Sequence, residues 1–446
     1  MKRLNAYLFR EVDIAPLAVF RVAFGFLIAA EAVGAIFTGW VGRVLVEPAI
    51  TFPAVAFDLL QPLPGIGMYV YFAILGVAGL MVMLGLYYRT AIGIYTVLWT
   101  GVYLMQSTHY NNHYYLLILV CAFMLLVPAD RYLSLATRRD PGYARGRVPQ
   151  WCITIFVVKM AIVYTYAGLN KLYPDWLSGQ TIGVFFEGRT HFWLIGPLLA
   201  NESFQLMVAY GGVFFDLLIV PLMLWRRTRW LGFASLVFFH LFNSAVFHIG
   251  IFPYMMIAMA VFFFPPDQVS RAFFKGRTRP LAGLSTPRDP ALRRALVAGL
   301  TVYFVVQVLL PIRHHLYDGD VSWTEEGHRY SWRMMLRGKV GTSDFYVHEV
   351  KSGERYVAPE QEELTAAQRV RVATHPRMAW QFAQYLADLY RERDGVEIEV
   401  YMHGEASLNG HPPRPLLDPE RDLVTADASW HRSADWILPY DAPYDD

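Results

Sequence analysis

Residues 151–176 read WCITIFVVKMAIVYTYAGLNKLYPDW. The stretch 151–169 carries a single charge, Lys159, and is otherwise dominated by aliphatic and aromatic side chains. About 20 mostly apolar residues are what a helix needs to cross a bilayer. Directly after it come Asn170, Lys171, Tyr173, Asp175 and Trp176, a polar and aromatic group of the kind found where a span meets water. The bilayer is therefore the solvent for this part of the chain. Working outward, the same pattern recurs at 14–40, 67–87, 90–107, 113–128, 206–225, 230–247, 249–265 and 294–311, giving nine candidate spans with 151–169 included. The stretch 42–66 is broken by Pro48, Pro53, Pro62 and Pro64, so it reads as a loop or an interfacial segment. Lys2, Arg3 and Arg10 precede an apolar stretch without a small-residue cleavage site, which reads as an uncleaved first span.

Composition agrees with this reading. The chain is 55% hydrophobic and 17% charged, against about 25% charged in soluble domains. No nucleic-acid motif or long basic run is present. Cys121 and Cys152 both fall in apolar stretches, so no disulfide framework is implied.

Basic residues test the span count. Lys2, Arg3 and Arg10 share a side with Arg89, with Arg131, Arg138, Arg139, Arg145 and Arg147, with Arg226, Arg227 and Arg229, and with the run from Arg271 through Arg294. The alternate loops carry only Arg43, Lys171 and Arg189. Positive charge stays on the cytoplasmic side. The N-terminus is thus expected in the cytoplasm and the C-terminus outside, in a multi-pass cell or endomembrane.

From about residue 312 the character changes. Alternating stretches at Asp344–Val350 and Glu354–Val357, joined by Lys351-Ser352-Gly353, predict a hairpin. Pro376–Glu392 predicts an amphipathic helix and Val396–Met402 a further strand. The fold class is a polytopic α-helical membrane protein with about nine transmembrane helices and a small C-terminal α+β extramembrane domain. The domains are 1–311 and 312–446.

Ionisable and polar groups at membrane depth are functional candidates. Four clusters stand out, all toward the exterior ends of spans. The first is His109-Tyr110-Asn111-Asn112-His113, which also reads as an ordinary loop capping a helix. The second holds Lys171, which either snorkels beside Asp175 or sits in an apolar pocket, where a lysine gives up its proton more readily and can act as a base. The third is His240 with Asn243 and Ser244; spacing of three puts His240 and Asn243 on one helix face. His248 lies further along. The fourth begins at His314-His315 and continues through Trp323 to His328, Tyr330, Ser331, Trp332, Met334 and Met335. Arg21, Glu31, Lys159 and Asp216 are further charges inside spans, and they read as structural pairs of unassigned partnership. There is no HExxH, GxSxG, P-loop or dinucleotide fingerprint. His109 and His113 have helical zinc-site spacing but no nearby carboxylate, so no metal is expected.

Taken in order, these clusters resemble the vitamin K-dependent γ-glutamyl carboxylases, within a wider family of horizontally transferred transmembrane proteins. The resemblance rests on Asn111-Asn112-His113, on Ala167-Gly168 with Lys171-Leu172 and Asp175-Trp176, and on His240 with Asn243-Ser244. It continues through Ile249-Gly250 with Phe252 and Tyr254, then Tyr330-Ser331-Trp332 with Met334-Met335, then Asp418-Pro419 with Asp422 and Val424, and Trp430 with Trp436. It implies an enzyme that oxidises reduced vitamin K (the hydroquinone) with dioxygen to the 2,3-epoxide. The strong base so generated removes a glutamate γ-proton, and carbon dioxide adds to the carbanion. By position the resemblance makes Lys171 the base, with Asn112, His113 and His240 as further catalytic residues. It makes Asn243, His314, Tyr330, Trp332, Met334 and Met335 cofactor-binding. The partners implied are the lipid bilayer and a glutamate-containing peptide or protein, with no nucleic acid. Members of the animal type carry a tyrosine where this chain has His328.

A glutamate γ-proton is too weakly acidic for any side-chain base, so a cofactor must carry that step. Water would quench the carbanion, so the site must be dry. Two other readings remain: a quinone epoxidase or oxidoreductase that does not carboxylate, and a non-enzymatic lipid-binding or transport protein. The strand edges after residue 312, with Arg369, Arg371, Arg377, Arg391 and Arg393, are expected to receive a glutamate-rich polypeptide.

Overall fold

A computed structural model describes residues 2–54, 59–193, 195–247, 249–275, 283, 289–429 and 431–440. His248 and Trp430 lie outside the described residues.

A helix forms at each of the nine expected stretches. In chain order these are α1 (Ala15–Phe37), α2 (Gly67–Leu84), α3 (Tyr88–Met105), α4 (Asn112–Leu126), α5 (Trp151–Leu169), α6 (Glu202–Leu224), α7 (Arg229–Phe247), α8 (Phe252–Met259) and α9 (Pro290–Leu309). Among the described residues six helices are long and apolar enough to cross a membrane: α1, α2, α5, α6, α7 and α9 with its tight extension to Leu316. α4 and the α8 segment to Phe263 are apolar but shorter.

Helix α2 shows why the medium is lipid. Phe72, Leu75 and Val82 are buried, yet the opposite face exposes Val70, Ile74, Val77 and Leu84. A helix apolar all round belongs in a bilayer. Helices α1 and α2 touch backbone to backbone. A Cβ at Gly25 would come within 2.3 Å of the Met83 nitrogen, and one at Gly79 within 2.7 Å of the Ala29 nitrogen. Small residues permit that approach. Arg21 of α1 is fully buried and structural, as the sequence suggests. Its partners are the carbonyls of Val82, Met83 and Leu133, at 3.2, 2.7 and 2.6 Å, rather than an acid.

The loops sort into two sets. Strand residues Glu11–Asp13 pair antiparallel with Arg147–Pro149, joining the N-terminus to the loop before α5. The loops after α1, α3 and α5 instead meet the C-terminal domain. Gln368 Nε2 donates to Ile50 O at 2.6 Å, Arg329 to Ser107 Oγ at 3.1 Å, and Gln180 Nε2 to Asn409 O at 2.8 Å. The proline-broken stretch is therefore in part a loop beneath the exterior domain: Ile50 and Phe52 belong to that domain's core.

The exterior domain is a four-stranded antiparallel sheet covered by helices. Its strands are β1 (Lys339–Glu349), β2 (Arg355–Val357), β3 (Ile398–Leu408) and β4 (Arg414–Pro415), in the order β2-β1-β3-β4. The expected hairpin is β1 and β2, with Val347 opposite Tyr356. Strand β3 runs further than Met402, because Gly404 and Glu405 stay paired with Ser343 and Thr342. Helices α10 (Ala366–Thr374) and α11 (Pro376–Asp394) complete the domain, with Phe382 edge-on to Phe345 at 4.9 Å.

Candidate active site

Two structural choices build the floor of the site. Asn111 caps α4, its side chain accepting from the Tyr114 N–H at 2.7 Å. That leaves Asn112 and His113 in the first turn, facing inward. Asn112 is buried; its Nδ2 donates to Arg333 O at 3.1 Å and its Oδ1 accepts from the Tyr110 hydroxyl at 3.1 Å. His113 stacks on Phe252 with centroids 4.0 Å apart, and Phe252 also meets His240 edge-on at 5.8 Å. His240 is 2% exposed and shares a 2.7 Å hydrogen bond with the Tyr164 hydroxyl. Phe252 thus touches two histidines, drawn from α4 and α7. His109 does not join them, since it packs edge-on against Trp40 at 6.0 Å.

Lys171 follows the C-terminus of α5 and turns back into the bundle. Its Nζ forms an ion pair with Asp216 of α6, and both side chains are buried. The Trp176 ring covers the ammonium at 5.1 Å. The snorkelling alternative beside Asp175 is corrected here. Asp175 accepts from Asn409 at 2.8 Å and pairs with His411 at 3.1 Å, fastening the bundle to the exterior domain. Asp216 has the partner that the sequence could not assign.

A strap, residues 328–336, roofs this floor. It is stitched to four loops and helix ends. The Tyr330 N–H donates to the Tyr110 hydroxyl at 2.7 Å, Asn170 Nδ2 donates to Ser331 O at 2.8 Å, Asn112 reaches Arg333 O, and the Tyr173 hydroxyl reaches Leu336 O. Tyr330, Trp332 and Met335 have φ of 65°, 58° and 51°. Left-handed backbone on such large residues costs about 1–3 kcal/mol each and persists only where surroundings impose it. Here it aims Trp332 down into the bundle, where it is fully buried and stacks on Tyr115 at 5.2 Å. Met334 packs against the same core. Gly327, with φ +70°, presses on His314: a Cβ there would lie 2.5 Å from His314 Cα.

The remaining candidates stand apart. His314 bonds through Nδ1 to Pro311 O at 2.8 Å and lies against His315, the rings tilted by 37° with centroids 4.1 Å apart. Asn243 is half-buried, and Ser244 donates to the Tyr254 hydroxyl at 3.0 Å. Among the described residues no hydrogen bond or ring contact joins His314 or Asn243 to Lys171, His240 or Trp332. His328 is buried with Nε2 3.0 Å from Arg337, and burial together with the surrounding cations pushes its pKa well below 6.5. Asp422 is structural, accepting from the Val400 and Val424 N–H groups at 3.0 and 2.9 Å. Trp436 lies in the exterior core.

Two family descriptions match the chain. HTTM domain covers residues 9–268, more than half of it, and Vitamin K-dependent gamma-carboxylase, lumenal domain, covers residues 292–443. The chain belongs to the vitamin K-dependent gamma-carboxylase family. Membership makes it a protein of the lipid bilayer with an extracytoplasmic C-terminal domain, and the second match implies a vitamin K requirement. No solved structure matches the chain.

For a family member, the structure brings to the site residues that the sequence did not place there. Asp216, Tyr164 and Asn170 each touch a candidate residue directly. An aspartate inside an apolar span needs a cation within reach, and that signal was available for Asp216. The arginines expected to hold a peptide are mostly committed elsewhere. Arg371 bonds to His375 at 3.1 Å, Arg377 to Ala428 O at 3.0 Å, Arg391 to Asp388 at 2.7 Å, and Arg393 to Glu360 at 3.2 Å.

Proposed function

We propose that this protein is a vitamin K-dependent γ-glutamyl carboxylase. It couples oxidation of the reduced vitamin by dioxygen, giving the 2,3-epoxide, to addition of carbon dioxide at the γ-carbon of glutamate side chains in a peptide or protein. The observation that carries the reading is the buried Lys171–Asp216 pair, set among Trp176, Tyr164 and His240 beneath a strained roof.

The bound vitamin supplies, with dioxygen, the base strong enough for a γ-proton. The residues fit such a ring: Trp332 Nε1 and the Tyr303 hydroxyl are buried without a partner among the described residues, which oxygen substituents on an aromatic ligand would provide. Trp332, Tyr330, Met334 and Met335 would hold it. Lys171 and Asp216 manage a proton. Shifting one from Nζ to Oδ2 converts an ion pair into an amine and a carboxylic acid, and both states are net neutral. A buried base can therefore be uncovered without leaving an uncompensated charge. Asn112 and His113 are placed to hold a carboxylate through hydrogen bonds. The strap and Phe252 exclude water. His314 and Asn243 receive no role from these contacts. We also propose a division at residue 311/312 and a cytoplasmic N-terminus, which the two sets of loops and their basic charges support.

Supplying the reduced vitamin and a glutamate peptide tests this. Lys171→Ala should abolish both epoxide and fixed carbon dioxide, and His113→Ala should retain epoxide while losing carboxylation. A wild-type protein that makes neither product refutes the reading, and so does an unchanged epoxide yield in Lys171→Ala.

A further inference from the structure

A second lysine lies in the middle of α5. Lys159 is 0% exposed and lies ten positions before Leu169, the last residue of α5, about 15 Å from that helix end along the axis. The other buried cations of the bundle are answered: Arg21 by three carbonyls and Lys171 by Asp216. Lys159 is not. Its Nζ donates to Gln307 Oε1, and among the described residues it has no carboxylate within 4.0 Å. An ammonium has three donors, so two are left over.

Aromatic rings form a cage around it. Trp332 lies 4.6 Å from Nζ, and Tyr115 and Tyr303 lie 5.9 Å away. Gln307 Oε1 accepts from the ammonium, and its Nε2 donates to the Tyr115 hydroxyl at 3.2 Å. The unpartnered Trp332 Nε1 and Tyr303 hydroxyl belong to two rings of this same cage. A buried polar group left without a partner is unfavourable, and a buried charge more so. Two unpartnered donors on rings beside an ammonium with donors to spare suit an oxygen acceptor.

We propose that Lys159, Trp332 and Tyr303 bind the oxygen of a lipid-soluble aromatic diol, a quinol, and prefer its reduced, anion-forming state to the quinone. This rests on the proposed function and assigns a specificity-determining residue to it. The flat cage selects a ring over an aliphatic acid. The depth selects a molecule that partitions into lipid over a peptide side chain. Helix α9 is the wall between the cage and the bilayer: Gln307 is its one buried residue, and Val302, Val305 and Leu309 face outward. Lys159 acts on affinity and redox preference, and Lys171 on proton transfer.

The test uses the full chain in nanodiscs, with empty nanodiscs correcting for partition into lipid. The probe is 2-methyl-1,4-naphthoquinone, oxidised, or reduced and kept under argon. The readouts are equilibrium binding and the shift in thermal midpoint on binding. The wild type should bind the reduced form more tightly. Lys159→Met should cut that preference by about tenfold, Lys159→Arg should keep most of it, and Tyr303→Phe should weaken the reduced form selectively. Lys159→Met removes an unanswered charge, so it folds; if it does not, Tyr303→Phe, which deletes one hydroxyl, decides. An unchanged preference in the variant that decides overturns the inference, and if epoxide and carboxylated product still form, the proposed function stands. A Lys159-dependent preference in a protein that makes neither product upholds the inference and overturns that function. A wild type that binds neither form refutes both.

Discussion

Asp216→Leu removes one partner of a buried ion pair. Both side chains are more than nine-tenths buried, so the Lys171 ammonium would be stranded in a dry site. Breaking such a pair from one side costs about 3–5 kcal/mol, whereas replacing both partners by apolar residues of similar volume is often neutral or stabilising by about 1–4 kcal/mol. Lys171→Met should cost a comparable amount by stranding the carboxylate. It also forfeits the Trp176 contact at 5.1 Å, worth about 0.5–2 kcal/mol. The double variant Lys171→Met/Asp216→Leu should recover to within about 2 kcal/mol of wild type. The coupling energy is then at least about 3 kcal/mol, far above the roughly 0.5 kcal/mol scatter of independent sites. The assay is reversible unfolding in mixed micelles titrated with SDS, run on all four proteins. Additive losses would mean that the two charges do not depend on each other, and the neutral-pair argument for proton handling would go with them.

Three further outcomes are expected. Gly25→Leu should lower the SDS unfolding midpoint by an amount equivalent to about 1–3 kcal/mol or more, because its side chain meets backbone of α2, while Gly211→Leu, with nothing within 4 Å, should change little; equal effects would contradict the α1–α2 contact. His328 and His375 are held well below 6.5, first by burial and then by nearby cations including Arg337. Their unfolded forms bind protons that the folded forms refuse, so stability present above pH 6.5 is lost on acidification, by roughly 1.4 kcal/mol per histidine per pH unit. Hydrogen exchange of β1 amides between pH 7 and 5.5 measures this, and pH-independent protection refutes it. A tag placed after Asp446 should be cleaved by protease added outside intact cells; full protection would invert the topology.

The spans were legible because hydropathy is a one-dimensional property: a run such as 151–169 declares its medium without reference to any other residue. Pairing is not one-dimensional. Lys171 and Asp216 are 45 positions apart on different helices, and which of the two nearby acids Lys171 meets depends on how α5 and α6 rotate against each other. Asp175 is closer in sequence and turns the other way, toward Asn409 and His411. The strap shows a second limit. Its polar, aromatic sequence reads as an interfacial belt, and only the left-handed backbone at Tyr330, Trp332 and Met335 sends Trp332 into the bundle. Lys159 was visible as a charge inside a span, but its cage is assembled from α4, α5, α9 and the strap. Strand β3 exceeds its sequence signal because backbone pairing with β1 continues after the apolar alternation stops.

The strap also imposes an order on biosynthesis. Asn112 and its acceptor at Arg333 are 221 residues apart, and Asn170 and its acceptor at Ser331 are 161 apart. At about 5–20 residues per second, a ribosome takes roughly ten to forty seconds to travel from Asn112 to Arg333. Throughout that interval the inserted helices hold an unroofed cavity, and Lys159 lacks the indole that closes its cage. The nascent bundle is thus a substrate for quality control until its last quarter arrives, and a ribosome stalled between α9 and the strap would leave a protein threaded through the membrane but open at the top.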